Sequence, residues 1–365
     1  MKSRNLLAMS GSAVLLVVAL TLGCQSVATT SAKLRNQEGN YEMAIDLCKQ
    51  ALAQNPADAE AYFQLGVAYS QLDSVALAYE NFSKSVELDP TKQRDADNNI
   101  AHNFAKHYKL GQTAFTRNDY QAAAVEFGLA AESDPTQAVA YYNLGVAYAR
   151  LAEDDPAYHE KCIAAMDRVL ELSNPSDANY TKALQVAGRQ LVALDRADEA
   201  EDRFRRLIEE DPTSYDVIQD IGNDLLSSQQ WGAAAVFLKM GAEAREKIGA
   251  EDYTTYYNIG VALYNLRKRD DGSVDDAVVS EAIAYYEKAL AVAEDEAQES
   301  QTVFNIAVAY VAQGNYASSV DWLEKYVNES PADPKGWQLL ARCYNEIGDK
   351  TKGKEAFRRF EQLRQ

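Results

Sequence analysis

Cysteine and histidine are scarce, four and three among 365 residues, which leaves little material for a metal cluster or a disulfide framework. Proline and glycine are also few, at 8 and 18, and this argues against a turn-rich β fold and against collagen-like sequence. Positive charge is in deficit: 36 Lys and Arg face 55 Asp and Glu, a formal net charge of −19 that repels phosphate backbones and makes nucleic acid a poor partner. No Gly-x-Ser-x-Gly elbow, no Gly-rich loop ending in Lys-Ser/Thr and no His-Glu-x-x-His occurs, so no motif supports catalysis. What is present is apolar residues at helical spacing, never alternating with period two, in a chain that is 47% hydrophobic and 25% charged.

Residues 1–23 read as a secretory signal, with Lys2 and Arg4 ahead of the uncharged run Leu6–Leu22. That run is at the low edge for spanning a bilayer and is interrupted by Ser10-Gly11-Ser12, so an uncleaved membrane helix is the competing reading. Its end, Leu20-Thr21-Leu22-Gly23-Cys24, resembles the bacterial lipoprotein signal, although Thr21 stands where that family usually has Leu. The resemblance implies cleavage before Cys24, lipidation of Cys24 and, from Gln25 behind it, an outer-membrane destination facing the periplasm. Two or three acyl chains hold a protein to a bilayer, whereas one alone is marginal.

The remainder repeats itself. Tyr62-Phe63-Gln64-Leu65-Gly66-Val67-Ala68-Tyr69, Tyr141-Tyr142-Asn143-Leu144-Gly145-Val146-Ala147-Tyr148 and Tyr256-Tyr257-Asn258-Ile259-Gly260-Val261-Ala262-Leu263 nearly superimpose, with Asn305-Ile306-Ala307-Val308-Ala309-Tyr310 as a fourth copy. This pattern resembles the core of the tetratricopeptide repeat, a helix–turn–helix unit of 34 residues. Counted from each repeat start, position 8 is Gly66, Gly111, Gly145, Gly188, Gly222, Gly260, Ala307 and Ala341, small enough for the first helix to lie against the second. Position 20 is small for the same reason, as at Ala44, Ala78, Ala123, Ala200, Ala234 and Ala282, with Ser319 and Gly353 near the end. Position 24 is expected to be the apolar plug between neighbouring units: Cys48, Phe82, Phe127, Met166, Phe204, Leu238, Tyr286, Leu323 and Phe357. Pro56, Pro90, Pro135, Pro212 and Pro331 stop second helices.

The expected fold is therefore all-α, a right-handed superhelical solenoid of about nine repeats near 25–58, 59–92, 104–137, 138–177, 181–214, 215–248, 253–296, 300–333 and 334–365. Residues 24–40 are expected to be a short tether with a degenerate, frayed first helix (Gln25–Asn36), leaving 41–365 as the solenoid proper. Extra residues at Gln93–Asn103 and Arg267–Ser280, and around Asp154–Tyr158, interrupt the spacing, the last leaving the fourth repeat's register open by one residue.

The resemblance places first-helix positions 2, 5, 6, 9, 12 and 13 on the concave face. There the chain has Phe63, Tyr108, Tyr142, Tyr257 and Phe304 at position 5, Asn143, Asn258 and Asn305 at position 6, and Phe115 and Tyr264 at position 12. An Asn offers both donor and acceptor, so a ladder of them can hold successive amides of an extended chain, with aromatics adding contact area at little entropic cost. These ten residues are the expected peptide-binding set; the alternative is that the position-5 aromatics pack along the groove wall and the Asn residues bond only to neighbouring helices. Position 5 is aromatic or Gln, so the Lys-based carboxylate clamp of chaperone-binding members is absent. His107 falls at a packing position, and in His159-Glu160-Lys161-Cys162 the side chains cannot converge on one ion, so no metal or cofactor is expected. Cys48, Cys162 and Cys343 are expected free, buried and inert. The last helix gathers Lys350, Lys352, Lys354, Arg358, Arg359 and Arg364, which fits a solvated cap or a dock for an acidic partner or anionic lipid.

Together these readings imply a non-catalytic, lipid-anchored adaptor that holds peptide segments or helices of other cell-envelope proteins, in envelope, secretion or pilus assembly. The alternative is a self-associating spacer of an envelope complex with an empty groove, marked by exposed apolar residues such as Trp337 or Phe360 in the terminal repeat.

Overall fold

A computed structural model describes residues 26–269 and 271–364. The expected signal 1–23 and Cys24 lie outside the described residues. Eighteen α-helices are present among those described: α1 (Val27–Gln37), α2 (Tyr41–Gln54), α3 (Ala59–Gln71), α4 (Val75–Leu88), α5 (Gln93–Thr116), α6 (Tyr120–Ser133), α7 (Ala138–Leu151), α8 (Ala157–Leu172) and α9 (Ala178–Ala193) in the first half. They continue as α10 (Ala197–Glu210), α11 (Tyr215–Ser227), α12 (Trp231–Glu246), α13 (Tyr253–Leu266), α14 (Asp276–Ala291), α15 (Glu296–Ala312), α16 (Tyr316–Glu329), α17 (Pro334–Glu346) and α18 (Lys350–Leu363). Consecutive helices pair as first and second members of helix–turn–helix repeats, about nine in all, the all-α architecture that the repeat pattern predicts. By their contacts the described residues form two units, one within 26–109 together with Leu129–Pro135, the other comprising Leu110–Gly128 and the described residues from Thr136 onward.

The turn inside each uninterrupted repeat has one design. Gly39, Asp73, Asn118, Asp195, Gln229, Gly314 and Gly348 all have φ between 54° and 87°, the left-handed conformation that ends a helix. The next residue donates its backbone N–H five residues back, as in Asn40 to Arg35 O (2.9 Å), Gln230 to Leu225 O (2.9 Å) and Asp349 to Tyr344 O (2.8 Å). Several of these same residues then cap the second helix: Asn40 Oδ1 accepts from Met43 N, Asn315 Oδ1 from Ser318 N and Asp349 Oδ1 from Lys352 N. Two residues thus close one helix and open the next.

Position 8 packs on position 24 of its own repeat. A Cβ added at Gly66 would lie 2.6 Å from the Phe82 ring, at Gly188 2.5 Å from Phe204, and at Gly260 2.5 Å from Tyr286. The plugs are buried in turn, Phe82 and Phe204 at 0% exposure. In the fourth repeat the same test finds Met166 Cε at 2.5 Å from the Gly145 position, which settles the register: the extra residues sit in the turn between α7 and α8. Those of the seventh repeat also fall between its two helices, where Lys268 and Val274 form an antiparallel bridge beside Gly272. Gln93–Asn103 instead lengthens α5 at its N-terminal end.

Two expectations fail here. Residues 27–37 are not frayed: α1 is capped by Ser26 Oγ, buries Ala32, and is pinned by Asn36 Nδ2 donating to both Gln64 O and Gln64 Oε1 at 2.9 Å. Small and polar residues pack here because α1 meets α2 and α3 through Thr29 and Ala32 and needs no large plug. At the other end, Phe357 is not a plug but 47% exposed, while Phe360, expected on the outside, is 8% exposed. The buried stripe of α18 runs through Gly353, Ala356 and Phe360, and Ala341 at position 8 lacks the glycine notch that receives a ring in the earlier repeats.

Candidate functional site

All ten sequence-selected residues are half-buried, and most are held by neighbours rather than left open. In the first unit the Phe63 ring packs 5.4 Å from Phe82 with Lys92 Nζ 5.5 Å above it, and Tyr108 stacks on Phe104 at 5.4 Å. In the second unit Phe115 meets Tyr120 edge-on at 5.2 Å, and the Arg267 guanidinium sits 3.9 Å over the Tyr264 ring.

The second unit links successive first helices through the predicted set. Asn258 Nδ2 on α13 donates to Asn223 Oδ1 on α11 at 2.9 Å. Tyr257 Oη, beside Asn258 on α13, accepts from Asn305 Nδ2 at 2.8 Å and from Gln301 Nε2 at 2.6 Å, both on α15. Its ring lies 5.4 Å from Tyr253 and 5.7 Å from Tyr286, and burial pushes its phenol upward against the two amide donors that favour the phenolate. Asn143 Nδ2 turns back to Val139 O on its own helix at 2.8 Å. Asn258 and Asn305 thus each spend an N–H on a first helix of a neighbouring repeat, as the alternative reading of the Asn set has it.

Phe304 is where the set meets open space. Its ring packs 4.8 Å from Tyr326 on α16, and both line a cavity of about 840 Å³ with Gln301, Ser300, Glu299 and Glu296 of the α15 end. Tyr326 Oη donates to Asp333 Oδ2 at 2.5 Å, and Asp333 Oδ1 also caps α17 at Lys335 N, so this carboxylate is structural. Burial, then the hydrogen bond to Asp333, raises the Tyr326 phenol above its ordinary range. Sequence reasoning missed Asn223, Gln301 and Tyr326. Asn223 and Gln301 stand at positions 9 and 2 of first helices and were discoverable by reading those columns; Tyr326 lies on a second helix and reaches the cavity only through packing.

The other candidate clusters resolve into local contacts. His107 is 2% exposed with Nε2 3.7 Å from Asp73 Oδ1. His159 Nδ1 lies 2.6 Å from Gln190 Oε1, Arg196 Nη1 donates to Glu160 at 2.8 Å, and Lys161 Nζ stands 4.5 Å over the Tyr158 ring. Among the described residues no group of three or more His, Cys, Asp or Glu could hold a metal ion. Cys48, Cys162 and Cys343 are free and buried, and burial pushes the thiols of Cys48 and Cys162 up to about 12.

Comparison with known proteins agrees with this architecture. Models described as TPR repeat and tetratricopeptide repeat match residues 32–73, 59–92 and 279–343. Those segments are tetratricopeptide repeats, and the paired helices of the described residues have the same architecture. The chain is 25% identical over 116 residues to the Photosystem I assembly protein Ycf3 of Prochlorococcus marinus (strain NATL2A), covering 32% of this chain and 59% of that protein. To the human DnaJ homolog subfamily C member 3 it is 22% identical over 149 residues, covering 41% of this chain and 26% of that protein. The chain thus spans about a quarter to three fifths of the curated relatives it matches. Among solved structures, a tetratricopeptide repeat protein from Parabacteroides merdae ATCC 43184 overlays 72% of this chain and 93% of its own, at 12% identity and TM-score 0.36. YrrB, described as a TPR protein with an unusual peptide-binding site, overlays 65% of this chain and 91% of its own, at 16% identity and TM-score 0.29.

Proposed function

We propose that this protein is a non-catalytic scaffold that holds segments of other proteins along the first helices of its second unit. The observation that carries the reading is the cavity of about 840 Å³ against Phe304, which shares Gln301 with the Tyr257–Asn305–Gln301 cluster. Half-buried aromatics give an incoming chain apolar contact, and side-chain amides, which carry both donor and acceptor, supply main-chain partners. Repeat stacking satisfies the core of each repeat with its neighbours, so the first-helix face is available for binding. The signal-like residues 1–23 and Gly23-Cys24 support a finer reading, a lipid anchor at the outer membrane with partners among periplasmic envelope proteins.

The test is a photo-reactive amino acid placed at Phe304 or Tyr142 in living cells, followed by identification of crosslinked proteins. Reproducible crosslinks to one or a few envelope proteins are expected. Crosslinks confined to other copies of this chain would overturn the reading and favour a self-associating spacer. The half-exposed Phe357 at the terminal repeat is the observation behind that second reading.

A further inference from the structure

A second cavity, of about 410 Å³, lies against α7, the start of α8 and α9, and its character is opposite to that of the chain. In a protein of net charge −19, it gathers Arg150, Arg189 and His159 against a single carboxylate, Glu153. Arg150 Nη1 donates to that Glu153 at 2.9 Å, but the two side chains are 53% and 66% exposed, so the pair is weak and exchangeable. Arg189 is exposed and forms no hydrogen bond or ion pair with any described residue. His159 Nδ1 is tied to Gln190 Oε1 at 2.6 Å, which joins the first turn of α8 to α9 and builds one wall.

The place of this cavity matters as much as its charge. Val146, Ala149 and Arg150 on α7 follow Tyr142 and Asn143 at helical spacing, and so continue the same face of that helix by one and two turns. Val186, Arg189 and Gln190 repeat the spacing on α9, the first helix of the next repeat. The geometry points to a subsite for the carboxylate of an Asp or Glu in the bound protein segment, with an aliphatic neighbour of that acid against Val146 and Val186. This inference rests on the scaffold reading above and adds to it the chemistry of the partner.

Guanidinium groups suit the assignment because their planar donor fork matches a carboxylate. The distant acidic residues of the chain do not cancel it, because at physiological salt charges more than about 8 Å away are largely screened, and Glu153, the one carboxylate of the lining, offsets Arg150 alone. The apolar walls favour a side chain of a protein segment over a free phosphate, which they could not solvate.

The experiment pans a random dodecapeptide phage library against the full chain and measures the selected peptides by fluorescence anisotropy. Selected peptides are expected to carry an Asp or Glu beside an aliphatic residue and to bind more weakly as salt rises. Arg150→Gln with Arg189→Gln should weaken them about tenfold without changing the melting temperature, and Arg150→Glu with Arg189→Glu should shift selection to basic peptides. Peptides that are selected without acidic bias, or that ignore the arginine variants, would overturn this subsite and leave the scaffold reading standing. Failure to select any peptide would sink both. Binding of phosphatidylglycerol vesicles that depends on Arg150 and Arg189, in the absence of acidic peptide selection, would reassign the cavity to a lipid surface and overturn the proposal.

Discussion

At the scale of the residue, the governing contact is a missing Cβ. Gly188 leaves room for the Phe204 ring, and a methyl group there would come within 2.5 Å of it. Gly188→Ala is therefore expected to cost roughly 1–3 kcal/mol by overpacking. Ala307 with Leu323 is this chain's own example of a larger residue at position 8 facing a smaller plug. Gly188→Ala with Phe204→Leu should accordingly lose less than the two single changes added together, by about 0.5–1 kcal/mol in urea unfolding. Strict additivity would show that the two side chains do not share the notch. Glu60 is the other residue whose environment decides its behaviour: only 8% exposed, it accepts from Gln64 Nε2 at 2.9 Å and from Lys92. Burial alone would raise its pKa, but the Lys92 and Gln64 bonds outweigh it and hold the carboxyl below its ordinary range. A carboxyl depressed in the folded state stabilises above its unfolded pKa of about 4.3 and loses that contribution as pH falls through the lower folded value. Glu60→Gln should lower the neutral melting temperature and flatten the acid limb below about pH 4; an unchanged limb would mean that the pair with Lys92 is not formed in solution.

At the scale of the element, the terminal helix shows how a repeat position loses its meaning without its context. In earlier repeats a position-24 ring drops into a glycine notch, but α18 turns Phe357 outward and buries Phe360. Phe357→Ala is therefore expected to change stability by no more than about 0.5 kcal/mol, and Phe360→Ala to cost roughly 3 kcal/mol, measured as chemical denaturation midpoints. The reverse order would restore the regular repeat register at the C-terminal end. The turns show the opposite case, a local rule kept without fail. Every repeat without extra residues in this turn has a left-handed residue there, whether Gly, Asp, Asn or Gln, and after Gly39, Asn118, Gly314 and Gly348 the next side chain caps the second helix. Asp, Asn and Gln disguise the rule in sequence, because glycine is the residue that ordinarily advertises this conformation.

At the scale of the molecule, the expectation that matters most rests on Cys24. If this residue carries lipid, Cys24→Ser should move the protein from the membrane to the soluble fraction or leave residues 1–23 uncut, as read by fractionation and intact mass. Persistent membrane association with normal cleavage would remove the anchor from the proposed function. Among the described residues no helix is long and apolar enough to cross a membrane. The charge balance acts at this scale too. A net −19 favours solubility and disfavours anionic partners in general, so a local Arg150–Arg189 pair gains selectivity from the contrast with its surroundings.

Periodicity determined the helices and their pairing, and marked positions 8 and 24 as small and apolar; that the plug drops into the glycine notch of its own repeat is what the structure adds. The family resemblance singled out Tyr257, Asn258, Phe304 and Asn305 on the first helices. Only the tertiary structure decided what those side chains do there. Asn258 reaches Asn223 and Asn305 reaches Tyr257 across repeats, and such partners depend on the rotation between neighbours, which the spacing does not encode. The same holds for α1, where small polar residues pack because α2 and α3 are placed to receive them, and for Phe357, exposed because α18 buries its other edge. Arg150 and Arg189 are 39 residues apart and unremarkable in sequence; the meeting of α7, α8 and α9 makes them the walls of one cavity.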